Sequence, residues 1–335
     1  VRVCDVYGAG FFYIPGTETC LKVGGLVRFE ISANDNDEFA ASADDGWDTL
    51  ARAEVTLDAR SETEYGTLRG YIRLRANSGM DPASPAPGWN DGDALSNGVN
   101  EGNAFVQDAI IELGGLAMGL TDTLYDAGLS GEFDRGGGDR VHFIRYTFDA
   151  PQGFQFAVAL EEADDDYDYT PNVVGRLGFS QGWGGANLWA AYDATAEEFA
   201  LKGIVTANLT ETVFVEGIAT YESGVSFYSV DPYNGTGIPA IPGTLGAEWS
   251  AGGLIGAQFT PKFRGSIGAQ YFSDVGHLGD LGAPFEIDVL RAGVTLDYQI
   301  VQNFAAKLAV NYVTADTPAG DVDGWHGFLR FDRTF

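Results

Sequence analysis

A period of two in apolar and polar residues runs through most of this chain, and it constrains the fold more than any other feature. Leu290, Ala292, Val294, Leu296 and Tyr298 alternate with Arg291, Gly293, Thr295 and Asp297. Ala306, Leu308, Val310 and Tyr312 are set in the same way against Lys307 and Asn311, and Phe263, Gly265, Ile267, Ala269 and Tyr271 against Arg264, Ser266, Gly268 and Gln270. Such alternation gives strands with one apolar and one polar face. It predicts strands over 19–31, 47–61, 66–77, 102–114, 115–121, 139–149, 153–162, 171–180, 185–193, 197–208, 213–222, 246–258, 263–273, 287–298, 303–314 and 324–335, sixteen in all.

The connectors then alternate in length. Short ones fall near 62–65, 114–115, 150–152, 181–184, 209–212, 259–262 and 299–302. Longer ones run over 32–46, 78–101, 122–138, 163–170, 223–245, 274–286 and 315–323, and only 194–196 is short where a long one is due. Short turns at one rim and long loops at the other describe an all-β, sixteen-stranded antiparallel transmembrane barrel. At ~4.8 Å spacing and ~40° tilt it would be roughly 30 Å across, enough for a water-filled lumen. Outward aromatic residues bracket the strands: Phe263 with Tyr271, Phe304 with Tyr312, Trp325 with Phe335. Their separation projects to roughly 20–25 Å, the height of an apolar belt between two girdles. A soluble sandwich could also carry aromatic strand ends, so the girdles gain force from the loop asymmetry.

Composition agrees. The 335 residues include 46 glycines, 13% aromatics and a formal charge of −29. That charge excludes nucleic acid as a partner, since a polyanion needs a basic face. No run of eighteen apolar residues is present, so no membrane-spanning helix is expected. Val1-Arg2-Val3-Cys4 shows neither a charged n-region nor an apolar h-region, so any secretory signal is expected to have been removed. Cys4 and Cys20 lie in a Gly-, Pro- and Thr-rich stretch that offers no evident core for free thiols. A disulfide is expected, closing a loop of about seventeen residues worth ~3 kcal/mol on the chain-entropy account. The chain thus reads as one barrel over 1–335: an N-terminal disulfide-looped segment at 1–18, the barrel at 19–335, and within it the connector 122–138.

The stretch from Val3 to Leu21, VCDVYGAGFFYIPGTETCL, closely resembles the mature N-terminus of alphaproteobacterial porins of the Brucella and rhizobial type. Pro171-Asn172-Val173-Val174-Gly175, Gly182-Trp183-Gly184 and the closing Arg330-Phe331-Asp332-Arg333-Thr334-Phe335 are similar to the same family, although Arg333 departs from the aromatic or apolar residue usual third from the end. The resemblance implies a Gram-negative outer-membrane location, surrounded by lipid and lipopolysaccharide. It also implies a homotrimer, passive diffusion of small hydrophilic solutes, and a third external loop folded into the pore as its constriction.

A diffusion pore needs a narrow place and a field across it. The connector 122–138 supplies Asp122, Asp126, Glu132 and Asp134 and ends in Gly136-Gly137-Gly138, a backbone suited to a sharp return. Strand parity directs Lys22, Arg28, Arg52, Arg60, Arg69, Arg73 and Arg75 inward from the first three strands, seven of only 19 basic residues. The expectation is a cationic wall facing an acidic loop, with Arg28, Arg52, Arg73 and Arg75 nearest the narrowest height. The plainer alternative is that these arginines pair with Glu30, Glu54 and Asp58 and fix the barrel geometry. The clusters Asp35, Asp37, Glu38 and Asp164, Asp165, Asp166, Asp168 invite a calcium reading, but without a spaced calcium-loop motif they read as solvated loop tips. No cofactor or metal is otherwise expected.

His142, His277 and His326 are far apart in sequence, and no nucleophile or metal-ligand motif is present, so no enzyme is expected. A substrate-selective channel would need an aromatic slide, and inward Tyr71, Phe272 and Phe328 are too dispersed to form one. A soluble adhesin is the third reading.

Overall fold

The computed structural model describes residues 2–35, 46–81, 98–99, 104–162, 170–232, 246–276, 287–317 and 320–335. The strands are β1 (Phe12–Tyr13), β2 (Cys20–Asp35), β3 (Gly46–Thr63), β4 (Gly66–Asp81), β5 (Gly98–Val99), β6 (Phe105–Leu113), β7 (Leu116–Asp122), β8 (Arg140–Asp149) and β9 (Phe154–Glu162). They continue with β10 (Asn172–Gln181), β11 (Gly184–Asp193), β12 (Glu198–Asn208), β13 (Val213–Glu222), β14 (Ala247–Thr260), β15 (Phe263–Val275), β16 (Ile287–Val301), β17 (Phe304–Thr317) and β18 (Gly320–Thr334). Setting aside the two-residue β1 and β5, sixteen antiparallel strands form the wall. Each pairs with its sequence neighbours, and β18 closes the ring on β2.

Closure joins the two ends of the chain. Phe331 stands opposite Phe29 and Arg330 opposite Glu30. Gly25 and Phe335 then exchange both backbone hydrogen bonds at 3.2 Å. Gly25 is required there, because a Cβ would lie 2.4 Å from the Phe335 ring. Among the described residues the ring of wall strands has no free edge, which lets the ladders pair strand N–H and C=O groups within hydrocarbon.

The strands run a few residues past their expected ends: β2 to Asp35, β14 to Thr260 and β18 from Gly320. The parity holds. Val55, Leu74, Ile72 and Val27 are exposed on the outer face, whereas Glu30, Glu54 and Asp108 are buried on the inner one. Outer aromatic side chains meet in two tiers. Phe199–Tyr221, Trp249–Tyr271 and Tyr312–Trp325 lie at the long-loop end, and Phe154–Phe179, Phe263–Tyr298 and Phe304–Phe331 at the short-turn end.

Cys4 and Cys20 form a disulfide with their Cα atoms 6.0 Å apart. The expectation that this stretch lacks a core is corrected: both cysteines and Phe11 are buried, with Tyr7 and Tyr13 packed against them. The segment folds back over the inner face of β2 and β3. Tyr7 donates to Glu62 at 2.7 Å, the Arg60 guanidinium lies 5.2 Å from the Phe11 ring centroid, and Val3 pairs with Phe12. Desolvation, with the bond to Glu62, pushes the Tyr7 hydroxyl up to about 12. The disulfide adds a covalent restraint to these contacts of the flap. Replacing both cysteines (Cys4→Ser with Cys20→Ser) should open residues 5–19 to limited proteolysis while the barrel keeps its resistance to SDS at room temperature.

The lumen and its inward segments

Cross-strand register arranges the inward charges of β18, β2, β3, β4 and β6 into a continuous lattice. Arg28 pairs with Asp332 at 2.7 Å, Arg75 with Glu54 at 2.7 Å and Arg73 with Asp108 at 2.7 Å. Arg60 and Arg69 share Asp58 at 2.8 and 3.0 Å, and Arg69 also holds Glu112 at 2.9 Å. Arg330 pairs with Glu30, and Arg52 donates to Asn77 at 2.8 Å. Lys22 lies along Gly10 of the N-terminal flap. The plainer alternative is thus met for Glu54 and Asp58, which pair with arginines of the first three long strands, whereas Glu30 is taken by Arg330, a residue outside the wall expected from the sequence.

Exposure is unequal within the pairs. In the Arg73–Asp108 pair the arginine side chain is 25% exposed and the carboxylate 6%; in Arg330–Glu30 the values are 17% and 1%. Arg60, Arg69 and Arg75 are likewise more exposed than the Asp58 or Glu54 they bind, and among the pairs named here Arg28–Asp332 and Arg69–Glu112 reverse the order. In five of these seven pairs the arginine is thus the more exposed partner, and the carboxylate the more covered one.

The connector after β7 lies inside the barrel. From β3 to β12 is eight steps around sixteen wall strands, so the two lie diametrically opposed. The connector runs along the half that contains β12. Leu124 and Tyr125 pack on Ala157, Ala159, Val174, Trp189, Ala191 and Ala200, all inward from β9 to β12. Ser130 donates to Glu216 on β13, through its backbone N–H at 2.7 Å and its hydroxyl at 2.8 Å, and accepts from Arg264 on β15 at 2.5 Å. The Glu132 N–H reaches Thr295 at 3.1 Å on β16, and its carboxylate binds Lys307 on β17 at 2.6 Å. Gln270 holds the Arg135 backbone from both sides, accepting its N–H at 2.8 Å and donating to its carbonyl at 2.9 Å. Phe133 fills a space opened by glycine, since a Cβ on Gly268 would lie 2.4 Å from its ring. The return uses Gly137 and Gly138 at φ +76° and +94°, and a Cβ on Gly137 would meet the Tyr228 carbonyl at 2.3 Å.

The four acidic residues have different surroundings. Asp134 is buried and accepts from the Leu129 N–H at 2.6 Å, so it shapes the segment from within. Glu132 is engaged by Lys307, with Arg330 at 4.0 Å. Asp126 is exposed and Asp122, at the end of β7, is half-buried. Of the four, Asp134 alone is buried; Asp122, Asp126 and Glu132 keep some exposure, Glu132 while held in ion pairs.

A second inward segment went unread. Residues 223–232 leave β13 and fold against the first: the Tyr228 ring meets Tyr125 edge-on at 5.5 Å, and both Tyr228 and Val230 are fully buried. Phe227 N–H donates to Asp193 and Val230 N–H to Glu222, each at 2.8 Å. The wall residues that hold the segments, Glu161, Lys202, Glu216, Gln270 and Arg291, were also missed. Parity alone marks them as inward, and parity does not separate a side chain facing water from one under a loop. Among the calcium candidates, Asp37, Glu38, Asp164, Asp165, Asp166 and Asp168 lie outside the described residues, and Asp35 ends β2.

The buried partners make the lattice sensitive to single deletions. Arg73→Gln should destabilise the barrel by roughly 1–3 kcal/mol, because it strips a charged hydrogen bond from the nearly buried Asp108. Adding Asp108→Asn should restore part of the loss, read as the temperature at which the folded band disappears on gels.

Comparison with known proteins agrees with this architecture. The family model described as the porin subfamily matches residues 1–325. Porin Omp2a of Brucella melitensis is 33% identical over 360 residues, covering 100% of this chain and 90% of that protein. Among solved structures, the outer-membrane channel DcaP of Acinetobacter baumannii superposes with a TM-score of 0.68 at 17% identity, over 96% of this chain and 99% of that one. The trimer form of OmpT, an outer membrane protein of Vibrio cholerae, gives 0.57 at 10% identity, over 95% and 100%. With a closed barrel, a charged lumen and full-length homology at this identity, the chain belongs to the porin subfamily, as a channel-forming protein of a Gram-negative outer membrane.

Proposed function

We propose that the protein works as a homotrimeric diffusion pore whose narrowest section lies between the 123–138 segment and the arginine-bearing wall of β18, β2, β3, β4 and β6. Ions and small hydrophilic solutes pass with no chemistry done on them. The observation that carries this reading is the unequal exposure within the lattice: paired charges balance overall, yet in most pairs the guanidinium is the more exposed partner. With Asp126 and Glu132 on the inward segment and Asp122 at its start as the acidic groups that keep some exposure, a passing solute meets a transverse field. Such a field orients dipolar solutes and penalises apolar ones, which gain nothing from it and displace ordered water. The formal −29 has little part in it, because external charge is screened within about 8–10 Å at physiological salt.

The trimer has support on the outer face. Between the rims, β3 presents Ala51, Ala53, Val55, Leu57 and Ala59, and β4 presents Leu68, Gly70, Ile72 and Leu74. Its rims carry the exposed rings of Trp47 and Tyr65, and the belt between them is aliphatic. An exposed aliphatic belt with Ala51, Ala53, Ala59 and Gly70 among its residues lets another wall approach closely. Contact through β3 and β4 also puts the arginine side of each lumen nearest the threefold axis. In bilayer recordings each inserted unit should close in three equal conductance steps, and Ile72→Arg should reduce these to one.

Neutralising Arg52, Arg73 and Arg75 together should shift the reversal potential in a salt gradient towards cation preference, since Glu54 and Asp108 would then face the lumen uncompensated. An unchanged reversal potential would remove the wall from the selectivity mechanism.

A further inference from the structure

Three buried charged side chains sit where the two inward segments meet the wall. Glu161 on β9 is 1% exposed. It accepts from the Thr123 hydroxyl at 2.5 Å and the Leu124 N–H at 2.8 Å, both in the first segment, and from the Tyr228 hydroxyl at 3.0 Å in the second. Lys202 on β12 is 2% exposed. Its ammonium donates to the carbonyls of Tyr125 and Gly136 and lies 4.0 Å from the centre of the Tyr125 ring. Those carbonyls belong to the outgoing and returning arms of the first segment, so one cation closes its neck. Arg291 on β16 is fully buried and donates to the carbonyl of Phe133, at the tip of the first segment, and to that of Pro232 in the second.

Burying three such groups is expensive unless each is well hydrogen-bonded. Here the bonds named above tie wall to loop, and two of the three residues hold both loops at once. Irregular backbone is tolerated at membrane depth where protein covers it or water bathes it. A carbonyl bound by a buried ammonium or guanidinium loses a strong, charge-assisted bond if the loop moves away.

We propose that Glu161, Lys202 and Arg291 are positioning residues that latch the 123–138 and 223–232 segments into a single rigid body on the β9–β16 half of the lumen. The open cross-section is thereby confined to the opposite, arginine-bearing half. The second segment acts as a brace: it fills the space behind Tyr125 and Gly137 and keeps the first from rising off the wall.

The test uses the full-length protein and Lys202→Met, which keeps an unbranched stem in the same space and removes the donors. Amides of residues 123–136 should exchange roughly 10- to 100-fold faster, the factor expected when a hydrogen bond to a charged group is lost from a local opening. Unitary conductance should shift with added open-channel noise, and the barrel should keep its folded gel mobility. Lys202→Arg, whose guanidinium can still bridge two carbonyls, should return exchange and conductance towards the unsubstituted values. A Lys202→Met protein with unaltered exchange in 123–136 would overturn the latch. The proposal rests on the first segment narrowing the pore, and the two ideas fail differently: faster exchange with unchanged conductance would keep the latch and remove the constriction. Should Lys202→Met not fold, exchange in the unsubstituted protein decides. Amides of 123–136 and 226–230 opening together support one body, and separate opening overturns it.

Discussion

Hydrocarbon accepts no unpaired backbone N–H or C=O, and the rest of this structure follows from that constraint. A sheet in a membrane must have no edge, so β18 has to find β2, and the chain ends have to meet where Gly25 and Phe335 bond to each other. Closure of sixteen strands encloses more space than the inward side chains can fill. The remainder is water, and water in turn permits the charged inner face that a dry core would forbid.

That inner face is organised by register. Side chains that meet across neighbouring strands become fixed partners, which is how Arg28 comes to Asp332 and Arg330 to Glu30, residues about three hundred positions apart in the chain. Each pair is half wall and half water. The lattice stiffens the barrel where the carboxylates are buried, and it gives the lumen its electrostatic character where the guanidinium groups are not.

The opposite half of the lumen meets the backbone constraint differently. There the wall carries small inward residues, Ala157, Ala159, Ala191 and Ala200 among them, which leave room for loop backbone to lie flat. That backbone is irregular and needs hydrogen-bond partners. The wall supplies them through Glu161, Lys202, Gln270 and Arg291, so polar residues that would be costly alone are satisfied by the loops they hold. The asymmetry of the pore, with one side built of ion pairs and the other of covered loop, comes from this division.

The sequence by itself determined the barrel. A period of two fixes which residues face lipid because a strand has only two sides, and alternating connector lengths fix strand number and direction. The same parity sufficed to direct Arg73, Arg75 and Arg28 inward, and Cys4 with Cys20 could be paired because only sixteen positions separate them. Tertiary structure decided what each inward residue does. Arg73 and Lys202 obey the same parity, yet one stands in water beside a carboxylate and the other is sealed beneath a loop. Asp126 and Asp134 sit eight residues apart in one acidic segment, yet one is exposed and the other is buried and folds the segment on itself. Parity is local and depends on one strand. Burial inside a barrel depends on where a loop from elsewhere in the chain comes to rest, and that is set by partners on β9, β12 and β16 that no local pattern brings together.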